Sequence, residues 1–148
     1  MPTLFAPDAR DAFKRRLARL TPETPAQWGR MSSPQMVCHV GDQLRVALGD
    51  LPTEEKLNFL RFRPVRRLFV HWLPWPKGKV PTSPEMQSSP PREWDADVAA
   101  VGALIDRFAT RDPAGEWCRH PAFGPLSGRE WGALCAKHLD HHFQQFGI

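Results

Sequence analysis

At 148 residues, with 41% hydrophobic and 24% charged side chains, the chain is sized and composed for one soluble globular domain, residues 1–148, with a hydrophobic core of its own. It has no apolar run of the ~18 residues a spanning helix needs, and its start, M-P-T-L-F-A-P-D-A-R-D, lacks a secretory pattern, so neither a membrane partner nor secretion is expected. A net charge of +4 comes with no recognised nucleic-acid motif, so no nucleic-acid partner is expected, and three cysteines without C-x-x-C spacing build no disulfide framework and point to the reducing cytoplasm.

In chain order the sequence reads as helices. Asp8 is the expected start of the first, with Ala9, Phe13, Leu17 and Leu20 at helical spacing. Lys14, Arg15, Arg16 and Arg19 fall on its solvated side. Thr21-Pro22-Glu23-Thr24-Pro25 ends it, because proline cannot continue a helix. Ser33-Pro34 predicts the second start, with Met36, Val37, Val40, Leu44, Ala47 and Leu48 as its apolar stripe and Gly49 as its stop. His39 lies about 60° or more from the centre of that stripe. It is expected at the border of the core.

Residues 54–73 predict one or two short helices, with Pro64 as a kink or a fresh start and His71 structural. Arg61, Arg63, Arg66 and Arg67 are interleaved there with Phe59, Phe62, Phe69 and Trp72, a mixture suited to an anionic ligand or a membrane surface. Six prolines follow between Pro74 and Pro91, so this segment is neither regular helix nor inner strand. Trp75, Val80 and Met86 suggest that it folds over the body as a cover.

Trp94, Val98, Val101, Ile105 and Phe108 define a helix from about 93 to 110. Asp112-Pro113-Ala114-Gly115 breaks it, and W-C-R-H-P-A-F-G-P-L forms an aromatic turn region. Ser127 and Glu130 then offer a capping box for the last helix. Four main helices and a lesser helical hairpin, with no strand alternation, predict an all-α bundle.

The last helix carries the chemistry. At 100° per residue, Trp131, Cys135, His138, Leu139, His142 and Phe146 share an arc of roughly 80–100°, opposite Lys137, Asp140 and Gln144. Two histidines therefore occupy an apolar stripe one turn apart. Burying an imidazole without a partner costs about 1–3 kcal/mol. A shared metal ion relieves that cost; so would hydrogen bonds to backbone carbonyls, or to each other through water.

The segments M-S-S-P-Q-M-V-C-H-V-G-D-Q-L-R-V-A-L-G, P-W-P-K-G, H-P-A-F-G-P-L-S-G-R-E-W and K-H-L-D-H-H-F-Q-Q-F-G span residues 31 to 147. Together they resemble the DinB/YfiT-like superfamily of four-helix metal-dependent enzymes, in a branch to which the resemblance assigns no specific activity. The resemblance implies a DinB/YfiT-like four-helix bundle with an extra short helical segment and a long Pro-rich loop. It also implies a three-histidine site for a divalent metal, with His39, His138 and His142 as ligands. His141 points about 100° away from His142 and is not expected to bind the same ion. Where relatives often carry Arg-Gly-Gln after the second histidine, this chain has Phe143-Gln144-Gln145, keeping the glutamine as Gln145 and lacking the arginine.

Three neutral imidazoles favour zinc or nickel and leave a coordination position open. Such an ion activates a water or binds a thiolate. Relatives include thiol-dependent transferases and isomerases, so a low-molecular-weight thiol is a candidate cofactor. Gln43, Gln145 and Trp131 are candidate outer contacts to the ligands or substrate. Trp117, Trp131 and Phe123 pack the mouth of the site or the core, and Cys135 is either a ligand or a small buried side chain. Asp42 and Glu130 are expected to face solvent or cap helices, and no general base stands out. Two function classes follow. One is a metal-dependent hydrolase or thiol-dependent transferase acting on a small molecule. The other is a non-catalytic helical module for binding or homodimerisation, its metal structural or absent.

Overall fold

A computed structural model describes residues 2–78 and 84–148. The described residues are mostly helical, with α1 (Pro7–Leu17), α2 (Ser33–Leu48), α3 (Arg63–Arg67), α4 (Trp94–Thr110) and α5 (Gly128–Gln145). A 3-10 turn (Phe59–Arg61) precedes α3, a π-helical turn (Leu68–Trp72) follows it, and another 3-10 turn (Pro84–Gln87) precedes α4. No helix among the described residues is long and apolar enough to cross a membrane.

Local chemistry sets the ends of the two helices that matter most. α2 starts one residue earlier than Ser33-Pro34 suggests, because Ser32 and Gln35 form a reciprocal capping box. Gly49 closes α2 in the left-handed region at φ 87°, which only glycine adopts without strain. α5 opens on the expected Ser127–Glu130 capping box.

A short antiparallel ribbon departs from the all-α expectation: β1 (Arg119–His120) pairs with β2 (Gly124–Pro125). Residues too few to alternate leave no period-2 signal in the sequence. His120 makes the turn, its Nδ1 accepting from the N–H groups of Ala122 (3.0 Å) and Phe123 (3.2 Å). Burial holds the His120 imidazole down at about 3. The unfolded chain therefore binds the extra proton first. Stability from this group is complete above its unfolded pKa, ~6.5, and is lost at roughly 1.4 kcal/mol per pH unit as pH falls toward 3. Urea denaturation between pH 4 and 7 is expected to show a flatter acid limb for His120→Asn than for the parent; equal slopes would refute this.

The core sits where α2 packs against α4 and α5, with α1 closing over α4 and α5. Trp131, Phe108, Phe143, Met36 and Leu44 are fully buried in it. α5 is buried well beyond the predicted stripe, with Leu134, Ala136 and Phe143 also inside. The N-terminal strand of chain explains part of this. Leu4 N–H donates to the Gly132 carbonyl at 3.2 Å, and a Cβ at Gly132 would meet Thr3 Oγ1 at 2.6 Å, so only glycine permits the crossing.

The described parts of the Pro-rich segment do cover the body. The Pro84–Gln87 turn packs on α2 and buries Met86, while Trp75 is half-buried; Val80 lies outside the described residues. The arginine-rich stretch divides in two. Arg66 is buried, donating to the Pro125 carbonyl (2.7 Å) and pairing with Glu130 (3.1 Å), and Arg61 pairs with Glu55. Arg63 and Arg67 are exposed and make no ion pair among the described residues. Beside them lie the exposed large apolar side chains Leu57, Phe59, Phe62, Leu68, Trp72 and Leu73.

Candidate metal centre

His39 on α2 meets His138 and His142, one turn apart on α5, and all three line a cavity of about 610 Å³. His138 Nε2 lies 2.9 Å from His39 Nε2, which lies 3.1 Å from His142 Nε2. One donor atom from each residue falls within 4.8 Å of the others. Nitrogens bound to one ion at the usual ~2.0–2.1 Å stand about 3 Å apart, so the spacing suits a single shared ion.

The outer nitrogens decide the protonation pattern. His39 Nδ1 lies 2.5 Å from the Met86 carbonyl, an acceptor only, so Nδ1 carries the proton. His142 Nδ1 lies 2.8 Å from Gln145 Oε1. Gln145 Nε2 donates to the Trp28 carbonyl at 2.8 Å, which fixes the oxygen toward His142, so this Nδ1 carries the proton as well. Burial lowers the pKa of all three rings, His142 to about 3 and His138 well below the usual imidazole range. They are neutral at pH 7. The Nε2 atoms of His39 and His142 therefore present lone pairs to each other. A proton on His138 Nε2 satisfies one of these; a divalent cation satisfies all three Nε2 atoms at once. His138 Nδ1 is buried and has no partner among the described residues.

Residues 4–147 match the family described as "Protein of unknown function (DUF1569)". The chain belongs to that family. No curated protein and no solved structure matches it. In this DUF1569 chain the matched region contains all three histidines and the whole cavity wall.

The remaining candidates are distributed unevenly. Gln145 is buried and joins His142 to the chain ahead of α2 through Trp28. His141 also lines the cavity, but its ring packs between Trp75 (5.7 Å) and Trp28 (6.1 Å) and is not in the close set. Gln43 is buried without lining the cavity. Trp131 belongs to the core and not to the cavity wall: its indole N–H donates to the Cys118 carbonyl at 2.8 Å and its ring packs on His120. Trp117 packs on Phe5 and Phe108, and Phe123 on His120. Cys135 is fully buried and outside the close set, its thiol pushed up by burial. Cys38 points toward Asp97; burial, with the Asp97 carboxylate beside it, raises its thiol to about 11.

Two expectations are corrected. His39 is buried, not at the border, because the Met86 turn lies across it. Asp42 is fully buried and neither faces solvent nor caps a helix. It accepts from Ser89 N–H (2.9 Å) and Ser89 Oγ (2.5 Å) and pairs with Arg45 (3.0 Å), tying the Pro-rich cover to α2 one turn from His39. Glu130 does cap α5, and also pairs with Arg66. The Met86 carbonyl, the Asp42–Ser89 tie and Trp28 escape sequence reading, since backbone acceptors and contacts between distant segments leave no local pattern.

Gln145→Leu removes the acceptor that orients His142 while keeping side-chain bulk. Metal affinity is expected to fall about 10–100-fold, the usual effect of losing an outer hydrogen bond on a ligand histidine. Competition with a chromophoric chelator measures it. Unchanged affinity would show that the Gln145 contact is incidental.

Proposed function

We propose that this chain holds one divalent metal ion on His39, His138 and His142 and acts as a metal-dependent enzyme on a small molecule admitted to the cavity. The observation that carries this reading is the facing pair of His39 and His142 lone pairs, each ring locked by a proton on its far nitrogen. Neutral histidines make zinc or nickel the best-matched ions. We read α1, α2, α4 and α5 as the four main helices of a DinB/YfiT-like bundle. The support is that α2 and α5, packed together, supply the facing histidines.

When bound, such an ion supplies Lewis acidity and an activated water or thiolate, so the reaction is a hydrolysis or a thiol-dependent transfer. The chain's own residues do the rest. Met86 and Gln145 hold two imidazoles in the tautomer that leaves Nε2 free. Trp75 packs against His138 and His141 as an apolar part of the cavity wall. The cavity, lined by all three histidines, gives a substrate room beside them.

The exposed apolar side chains Leu57, Phe59, Phe62, Leu68, Trp72 and Leu73 favour a second reading, a binding or homodimerisation module in which the metal is structural or absent. Cobalt substitution separates the two. Under the enzyme reading, the protein takes up about one ion per chain, and added imidazole or 2-mercaptoethanol changes its visible spectrum by entering the open position. A spectrum indifferent to both ligands would mean a closed, structural site.

A further inference from the structure

The residues lining the cavity include no aspartate or glutamate. Residues 79–83, Lys-Val-Pro-Thr-Ser, have none to add. The nearest acid along α5, Asp140, is engaged elsewhere: it accepts from Arg16 (2.7 Å) and from Gln144 (2.6 Å). Asp42 is consumed by Ser89 and Arg45. Cations are present at the rim. Arg30 lines the cavity, is exposed, and makes no hydrogen bond or ion pair among the described residues. Lys77 adjoins the lining residue Gly78, with its Nζ 4.4 Å over the Trp28 ring and no acid partner among the described residues. Trp28 and Trp75 flank His141 as apolar wall. A concave site with charge of one sign and low-dielectric walls focuses its field on the opening.

We propose that the ligand of this cavity is a small organic anion, with its apolar body against Trp28 and Trp75 and its negative head taken by Arg30 and Lys77. This deepens, and rests on, the reading of the cavity as the substrate chamber of the metal centre. A ligand held by its head at the rim turns its far end toward the histidines, so the rim cations position the substrate and the histidine end reacts with it. Neutral molecules of the same shape gain the aromatic contacts and nothing at the rim.

Calorimetric binding of 3-phenylpropionate, phenyl phosphate and 3-phenyl-1-propanol to the full chain, with metal content measured on the same samples, tests this. At low salt the anions are expected to bind about tenfold or more tighter than the alcohol. The stronger of the two identifies the head as carboxylate or phosphate. In the Arg30→Gln/Lys77→Gln double variant, whose altered side chains are both exposed, that preference is expected to shrink to within about twofold with metal content unchanged. Equal binding of alcohol and anions, or no binding of either anion, would overturn the proposal. So would a preference that survives the double variant and vanishes in His142→Ala, since the ion alone would then select the anion. A rim-dependent preference in protein that takes up no metal would sink the metal reading and leave the anion assignment standing.

Discussion

His142→Ala is expected to abolish stoichiometric metal binding, taking content from about one divalent ion per chain to less than about a tenth. The reason is geometric. His138 and His142 present adjacent Nε2 atoms from one helix face, and His39 closes the set from α2 at 2.9 and 3.1 Å. Without His142, the two remaining rings offer an ion half a coordination shell inside a buried site. The loss should also register as stability. An ion at a hundredfold excess over its Kd stabilises the native state by ~2.7 kcal/mol. For a chain of this size that corresponds to a Tm difference of roughly 5–10 °C between metal-saturated parent and variant. In excess chelator the difference should disappear. His141→Ala is the control, because its ring packs between two tryptophans outside the close set. Normal metal content in His142→Ala, or equal loss in His141→Ala, would refute the three-histidine centre.

Asp42→Ala is expected to release the cover. The carboxylate is fully buried and binds Ser89 through backbone and side chain, with Arg45 as counter-charge. Removing it strands these donors, at a cost of about 2–4 kcal/mol. Ser89 is half-exposed and recovers its bonds from water most easily by moving away from α2. Amide exchange across residues 84–91 should therefore rise well above that of α4. Metal affinity should fall in parallel, by about 10–100-fold, because the Met86 carbonyl that orients His39 rides on the same segment. Protection of residues 84–91 equal to the parent's would show that the prolines alone hold the cover in place.

These two variants also mark what could be read in the sequence. His138 and His142 stand out there because an apolar stripe at helical spacing exposes any polar residue within it. Asp42 leaves no such mark. Its partner Ser89 lies 47 residues away, and burial of the pair depends on a loop whose path no periodicity encodes. His39 lies deeper than its helical projection places it for the same reason: the projection ranks it by its own helix, while a different segment buries it. Trp131 is the converse case. It shares an arc with both histidines, yet its indole turns to the Cys118 carbonyl in the turn ahead of α5, so a shared face did not mean a shared site.

By itself the sequence determined the main helices and the ends set by Ser127–Glu130 and Gly49, because capping and helical spacing act within a few residues; α1 stops at Leu17, short of the proline break expected to end it. It also determined which histidines face inward on α5. The tertiary structure alone decided that a third ring from α2 meets them, that Met86 and Gln145 choose their tautomers, and that a buried carboxylate pins the cover. Except for the His142–Gln145 bond within α5, whose orientation the distant Trp28 carbonyl fixes, those contacts join residues far apart along the chain, and their energy exists only once packing has excluded water from between them.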